Sequence, residues 1–362
     1  MASMLPDGRR LGAHLAFAGG LVKAADRAIE IGATALQIFG DNPTAWQRRA
    51  APSPEVPAFR ARLASAGVAP LAIHASYLIN LAGSDPAYHE RSVALLAAEL
   101  RAARRFGATI VNVHIGSHGG TGVEAGIERL VTAVGRALDE EDEPDDDVVD
   151  AEDAETIAAT PPATITLENS AGSGFGLGVD LDELSAIADA VDAAGLPAER
   201  IGFCLDTAHA WSAGHDLADP DAGDALVNGC ERRIGLERLA LIHLNDSKAE
   251  RGSRLDRHEH VGAGRIGERG LAHLLRHPRL ARLPWILETP GMDEGYDAIN
   301  LARVLALIAG EPLEPLPPGA LTLRGSRARA ATPADPLPDS VEAADRGSTR
   351  EPAGPPSRSG AA

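Results

Sequence analysis

Residues 202–216 read GFCLDTAHAWSAGHD. The apolar run Ile201 to Asp206 closes on a carboxylate, and His209 follows three residues later. A short, almost wholly apolar run of this kind reads as a strand of a parallel sheet buried on both faces. An acid at the strand tip and an imidazole just beyond it can face two neighbouring metal ions. Working outward, the same grammar recurs in seven further runs: Leu11 to Ala18, Ala35 to Phe39, Leu71 to Ala75, Ile110 to Ile115, Thr164 to Glu168, Ala240 to Leu244 and Trp285 to Glu288. Between and after them lie helical segments: Val22 to Ile31, Pro57 to Ala66, Ala87 to Phe106, Val123 to Leu138, Leu181 to Ala194, Ala222 to Ile234, Leu271 to Arg276 and Tyr296 to Ile308. Eight strand–helix units in about 300 residues is the count of a TIM-type (β/α)8 barrel.

In such barrels the active site forms where the strands end and lead into the following loops. Candidate ligands obey that rule. His74 closes the third run, His114 the fourth, Glu168 the fifth, Asp206 and His209 the sixth, His243 the seventh and Glu288 the eighth. Asp256 and His258 fall in the loop after the seventh, where positions two apart in an extended chain project the same way and can chelate one ion. Nine imidazoles and carboxylates with no thiolate suit Zn²⁺ or Mn²⁺ in a hydrolytic site better than a structural zinc. Cys204 reads as a small core filler, His14 as a group fixing a ligand by a hydrogen bond, and the other histidines (89, 118, 215, 260, 273 and 277) as surface or loop residues.

The rest of the composition bounds the setting. A net charge of −18 disfavours a protein that binds nucleic acid through a broad basic surface, but the run Asp139 to Glu155 alone carries twelve acids and no base. That run follows a helix and precedes the fifth strand, so it is expected as a solvated insert, at about residues 139–160, on the face away from the site. Leu316 to Ala362 is rich in Pro, Gly, Ala, Ser and Arg without hydrophobic period and reads as a disordered tail behind a barrel domain of residues 1–315. Two cysteines make no disulfide framework, Met1 to Arg10 has no signal-peptide core, and no run approaches the ~20 apolar residues of a membrane helix. A cytoplasmic protein is expected.

Taken in order, GAHLAFAGG (12–20), HASYLINLAG (74–83), VNVHIGSHGG (111–120), TLENSAGSG (166–174), GFCLDTAHAWSAGHD, HLNDSK (243–248), DRHEHVGAGRIG (256–267) and ETPG (288–291) resemble the endonuclease IV family of apurinic/apyrimidinic endonucleases. The resemblance implies a trinuclear zinc centre, with Mn²⁺ conceivable at one position. His74, His114 and Glu168 would hold one ion; Glu168, Asp206, His243 and Glu288 a second; His209, Asp256 and His258 the third. Glu168 would bridge the first two and Glu288 would orient the nucleophile, making these the catalytic carboxylates. It also implies the substrate, duplex DNA with an abasic site, cut 5′ to the lesion to leave a 3′-hydroxyl, with trimming of blocked 3′ ends. A monomer acting on the bacterial nucleoid is the corresponding expectation. Three divalent ions against four carboxylates leave a formal charge of about +2, enough to draw a phosphodiester into an acidic protein. Tyr77 and Leu78 resemble residues that wedge into the duplex, and Lys248 and Arg257 are candidate phosphate contacts. One departure is Thr44, in Asn42-Pro43-Thr44-Ala45-Trp46, where the family commonly has arginine; a smaller one is Ala16 in place of serine.

Two other classes fit parts of the pattern. A xylose-isomerase-like sugar isomerase or epimerase shares carboxylates and imidazoles at strand ends but needs fewer ions, so Asp256, His258 and His209 speak against it. A protein that binds damaged DNA without cutting is suggested only by Thr44 and the acidic run.

Overall fold

A computed structural model describes residues 8–17, 19–48, 53–141, 155, 157–291 and 294–323. Eight parallel strands close into a barrel: β1 (Arg10–His14), β2 (Ala35–Phe39), β3 (Leu71–His74), β4 (Ile110–His114), β5 (Thr164–Glu168), β6 (Ile201–Asp206), β7 (Leu239–His243) and β10 (Pro284–Leu287), with β10 returning to β1. The intervening β8 (Asp246–Ser247) and β9 (His258–Glu259) pair antiparallel in the loop above β7. All eight expected strands form, three with the expected bounds and four ending one residue earlier; the first stops at His14, not at residue 18, which lies outside the described residues. The helices also stand where expected. That after β9 starts earlier, at Gly267, and a short helix, Thr207–Ala213, was not anticipated.

Strand periodicity explains how the fold aims its chemistry. Inside the barrel a small apolar cluster comprises Ala35, Ala72, Ile110, Cys204, Leu241 and Ile286. Alternate side chains of a strand share a face, so the residues two further along point inward one layer higher. Those residues are Gln37, His74, Asn112, Asp206, His243 and Glu288. A dry floor of small and aliphatic side chains therefore carries a polar storey directly above it. Gly12 belongs to the same design, because a Cβ there would stand 2.0 Å from the Ala35 carbonyl oxygen and force β1 off β2. The larger apolar cluster packs between strands and helices, with Phe59, Phe203 and Trp285 fully buried.

Two expectations about the edges change. Asp139 to Glu141 belong to the helix Val123–Glu141, and Glu141 is buried, accepting from Arg200 Nη2 at 2.5 Å and lying 2.9 Å from Arg104 Nε. The acidic run therefore begins as an anchored helix end; residues 142–154 lie outside those described. The C-terminal stretch is also partly built in. A 3-10 turn, Ala320–Thr322, buries Ala320, whose carbonyl accepts from His260 Nε2 at 3.2 Å; residues 324–362 lie outside those described. Among the described residues no helix is long and apolar enough to cross a membrane.

Candidate metal centre

The nine residues converge above the floor of the barrel. Donor atoms of His74, His114 and Glu168 lie within 4.8 Å of one another, as do those of Glu168, Asp206, His243 and Glu288. A third group of the same tightness joins Asp206 to His209 and His258. Asp256 completes it, with Oδ1 3.0 Å from His258 Nε2 and Oδ2 3.3 Å from His209 Nε2. The first two groups have the expected membership; in the third, Asp206 stands beside the expected trio.

Four of the imidazoles, those of His74, His209, His243 and His258, are aimed by their other nitrogen. A carbonyl oxygen only accepts, so a ring nitrogen bonded to one must carry the proton, leaving the far nitrogen as the donor to a cation. His74 Nδ1 donates to the Ala75 carbonyl at 2.8 Å, His209 Nδ1 to Asn169 at 2.8 Å and His258 Nδ1 to Glu288 at 2.9 Å. All three thus turn Nε2 inward. His243 is reversed: Nε2 donates to Gln37 Oε1 at 2.9 Å, and Nδ1 faces Glu168 Oε1 and Glu288 Oε2, each at 3.2 Å. His114 Nε2 stands 3.4 Å from Glu168 Oε2.

The carboxylates are held just as firmly. Asn112 Nδ2 donates to Glu168 Oε2 at 2.5 Å while its own oxygen accepts from Thr166 at 2.9 Å. Asn245 Nδ2 donates to Asp206 Oδ2 at 2.7 Å, and Asp206 Oδ1 caps the Thr207–Ala213 helix by accepting from His209 N at 2.8 Å. That cap explains the short helix and fixes His209 one turn in. Gln37 Nε2 donates to Glu288 Oε1 at 2.8 Å and reaches His14 Nδ1 at 2.9 Å. His14, expected beside a ligand, is 3.5 Å from Glu288 Oε1.

Charge follows from this packing. Burial works against the charge on Glu168, but the imidazoles of His243, His114 and His209 outweigh it and hold the carboxyl well below its ordinary range. Burial likewise opposes the charge on His258, yet Asp256, Asp206 and Glu288 raise it to about 9. His209 and His243 also rise despite burial, and Asp256 falls between His209 and His258. Cys204 is buried as expected, although its thiol lies within 4.8 Å of donor atoms of Glu168 and His243; burial pushes it up to about 12, so it stays neutral.

The remaining candidates line the rim with mixed outcomes. Tyr77 is half-buried with its ring 5.5 Å from His74, and Leu78 is half-buried beside it. Lys248 folds back onto the protein, 3.6 Å from Glu259 Oε1 and 3.4 Å from the Leu323 carbonyl, whereas Arg257 is exposed. Thr44 is exposed and bonded to Asn42 Oδ1 through both its N–H and its hydroxyl. Of the histidines expected at the surface, His260 is buried, held by Asn300 at 2.9 Å, and His118 is buried too. Sequence reasoning missed Gln37, Asn112, Thr166, Asn169 and Asn245. Their signal was a polar side chain inside, or at the mouth of, an otherwise apolar strand, as in ALQIF and IVNVH.

Known proteins share both the fold and the chain. A family described as the xylose isomerase-like TIM barrel matches residues 25–307. The chain is 40% identical over 297 residues to a probable endonuclease 4 of Methanoculleus marisnigri, covering 82% of this chain and 98% of the relative. A probable endonuclease 4 of Halothermothrix orenii is 39% identical, at 81% and 99% coverage. Among solved structures, endonuclease IV from Thermus thermophilus aligns with a TM-score of 0.68 and 37% identity over 83% of this chain and 99% of that one. The Escherichia coli 3-keto-D-glucoside 4-epimerase aligns at 0.54 with 12% identity, a likeness of fold alone. With its strand-end carboxylates and imidazoles and its kinship along nearly the full length of those relatives, the chain belongs to the endonuclease IV family of xylose isomerase-like TIM barrels.

Proposed function

We propose that this protein is a zinc-dependent endonuclease that hydrolyses the phosphodiester 5′ to abasic sites in duplex DNA, leaves a 3′-hydroxyl and trims blocked 3′ ends during repair. The observation that carries the reading is Glu168: buried, with one oxygen toward Nε2 of His114 and His74 and the other toward Nδ1 of His243. A carboxylate facing three imidazoles is the centre of a site for more than one cation, and the all-nitrogen-and-oxygen donor set suits zinc, with manganese the alternative at one position. His74, His114 and Glu168 would hold one ion, Glu168, Asp206, His243 and Glu288 a second, and His209, Asp256 and His258 a third. Zinc there supplies Lewis-acid charge for the phosphoryl oxygens and hydroxide at neutral pH.

The protein's own groups do the positioning. Gln37 clamps Oε1 of Glu288, leaving Oε2 to orient the attacking nucleophile. Tyr77 and Leu78 stand at the rim as wedges against the helix stack, and exposed Arg257, next to Asp256, meets the DNA backbone. An abasic nucleotide has no base to unstack, so its extrusion into the cleft is cheap. A sugar isomerase would leave the His209–Asp256–His258 group without a task.

The test is a labelled duplex carrying one central abasic analogue. Wild type should cut immediately 5′ to the lesion and leave an end that a polymerase extends, while Glu168→Ala should lose at least about 1000-fold in rate. An uncut duplex with fully metal-loaded wild type would refute the proposal.

A further inference from the structure

The match to the family ends at residue 307, yet the ordered chain runs on past the helix Tyr296–Ala309 to Leu323. Residues 311–319 read EPLEPLPPG, with prolines at 312, 315, 317 and 318. Proline fixes φ and has no N–H to satisfy, so such a stretch makes a stiff strap that needs no ladder of hydrogen bonds. Three contacts dock the strap on one place, the residues that follow the expected cation ligand His258. Leu313 Cδ1 fills the space beside Gly262, where a Cβ would stand 2.6 Å from it. Ala320 is buried, and its carbonyl accepts from His260 Nε2 at 3.2 Å. The Leu323 carbonyl accepts from Lys248 Nζ at 3.4 Å, and the same ammonium lies 3.6 Å from Glu259 Oε1.

The helix Tyr296–Ala309 holds the other side of that loop. Asn300 Nδ2 donates to His260 Nδ1 at 2.9 Å, and Asn300 Oδ1 accepts from Val261 N at 2.9 Å. Arg303 joins all three parts, donating through Nε to the Val261 carbonyl at 2.6 Å and through Nη1 to the Glu314 carbonyl at 2.5 Å. With both ring nitrogens engaged, His260 has no lone pair to offer a cation although it stands two residues from His258. It ties loop, helix and strap together instead.

The loop that carries Asp256 and His258 needs such support. Its own ladder, β8 with β9, is two residues long on each side, too short to hold a geometry by itself. A cation site depends on ligands held by the groups behind them. Resting on the reading of His209, Asp256 and His258 as a cation group, we propose that the strap, acting through Ala320 and His260 with Asn300, positions this loop and sets how tightly the group holds its ion. His260 and Ala320 are thus positioning residues, remote from the reacting atoms.

The experiment uses zinc-loaded full-length protein and two variants: Ala320→Asp, which puts a charge where the strap is buried, and His260→Leu, which removes the bonds of the ring to strap and helix. Each is titrated with a chelator of known affinity while bound zinc is counted, alone and in an Asp256→Asn background, with circular dichroism as the check of folding. Each variant should release one ion about 10- to 100-fold more readily and leave the others as tight as in wild type. In the Asp256→Asn background the same changes should add nothing, because the ion they act on is already loosened. A folded variant that keeps every ion at wild-type affinity overturns the proposal; so does an equal loosening of all ions, which would make the strap a general brace of the barrel. Should Ala320→Asp not fold, His260→Leu decides by the same outcomes. If Asp256→Asn alone loosens no ion, the reading of that group as a cation site falls, and the role of the strap with it.

Discussion

Replacing Gln37 by methionine removes three hydrogen bonds while keeping the length of the side chain. Gln37 is fully buried and bonds His243 Nε2 at 2.9 Å, Glu288 Oε1 at 2.8 Å and His14 Nδ1 at 2.9 Å. The bond to Glu288 involves a charged acceptor and contributes about 1.5–3 kcal/mol; that to His243 fixes which ring nitrogen faces the ions and contributes about 1 kcal/mol. Losing the partner behind a metal ligand costs about 10- to 100-fold in affinity. Because two ligands of the same group are released, Gln37→Met should weaken the ion held by Glu168, Asp206, His243 and Glu288 by about 100-fold, or roughly 2.7 kcal/mol. The assay is a titration of stripped protein against a chelator of known affinity, with bound metal counted at each step. One ion should become easily removable while the rest stay as tight as in wild type. Unchanged affinity for every ion, with the variant folded, would refute the argument that Gln37 sets this group.

Three further outcomes follow from the same geometry. In stripped protein, His258 is raised to about 9 and His209 and His243 lie well above 6.5, so their stabilising contribution is full below about pH 6.5 and drains away as pH climbs through 9; the depressed Glu168 and Asp256 contribute above about pH 4.5 and lose their effect as pH falls below it. The Tm of EDTA-treated protein should therefore fall between pH 6.5 and 9.5, and a flat or rising Tm would contradict the assignment; bound metal should reverse the trend, since ions need neutral imidazoles. Glu141→Gln leaves Arg104 and Arg200 facing an uncharged partner in a buried position and should cost about 3–5 kcal/mol in urea unfolding with no change in kcat. Thr44→Arg, on a loop whose Pro43 carbonyl is fixed by Ser76 Oγ and Tyr77 N, should tighten binding of an abasic duplex several-fold without altering hydrolysis of a small diester, read by anisotropy and by rate.

The barrel was legible because its strands are buried on both faces and read as unbroken apolar runs such as Ile201 to Asp206, with chemistry confined to their ends. The nine polar positions at the mouth were legible for the same reason. What escaped were polar residues inside those runs. Gln37 and Asn112 look like flaws in an apolar strand until the two-residue period places them beside Glu288, His243 and Glu168. The Thr207–Ala213 helix escaped because it is seven residues long and exists through the Asp206 cap, a tertiary role for a residue read only as a ligand. Glu141 was read with its acidic neighbours as solvated, but Arg104 and Arg200, distant in sequence, make it a buried anchor. For Lys248 the sequence left a phosphate contact and a surface salt bridge both open, and only the fold brings Glu259 and the Leu323 carbonyl within its reach.

The central claim is a three-ion centre with Glu168 at its heart, and anomalous diffraction at the zinc edge from crystals of natively purified protein tests it most directly. Three peaks are expected: one among His74, His114 and Glu168, one among Glu168, Asp206, His243 and Glu288, and one among His209, Asp256 and His258. A single peak, or ions that leave Glu168 without a metal contact, would contradict the account.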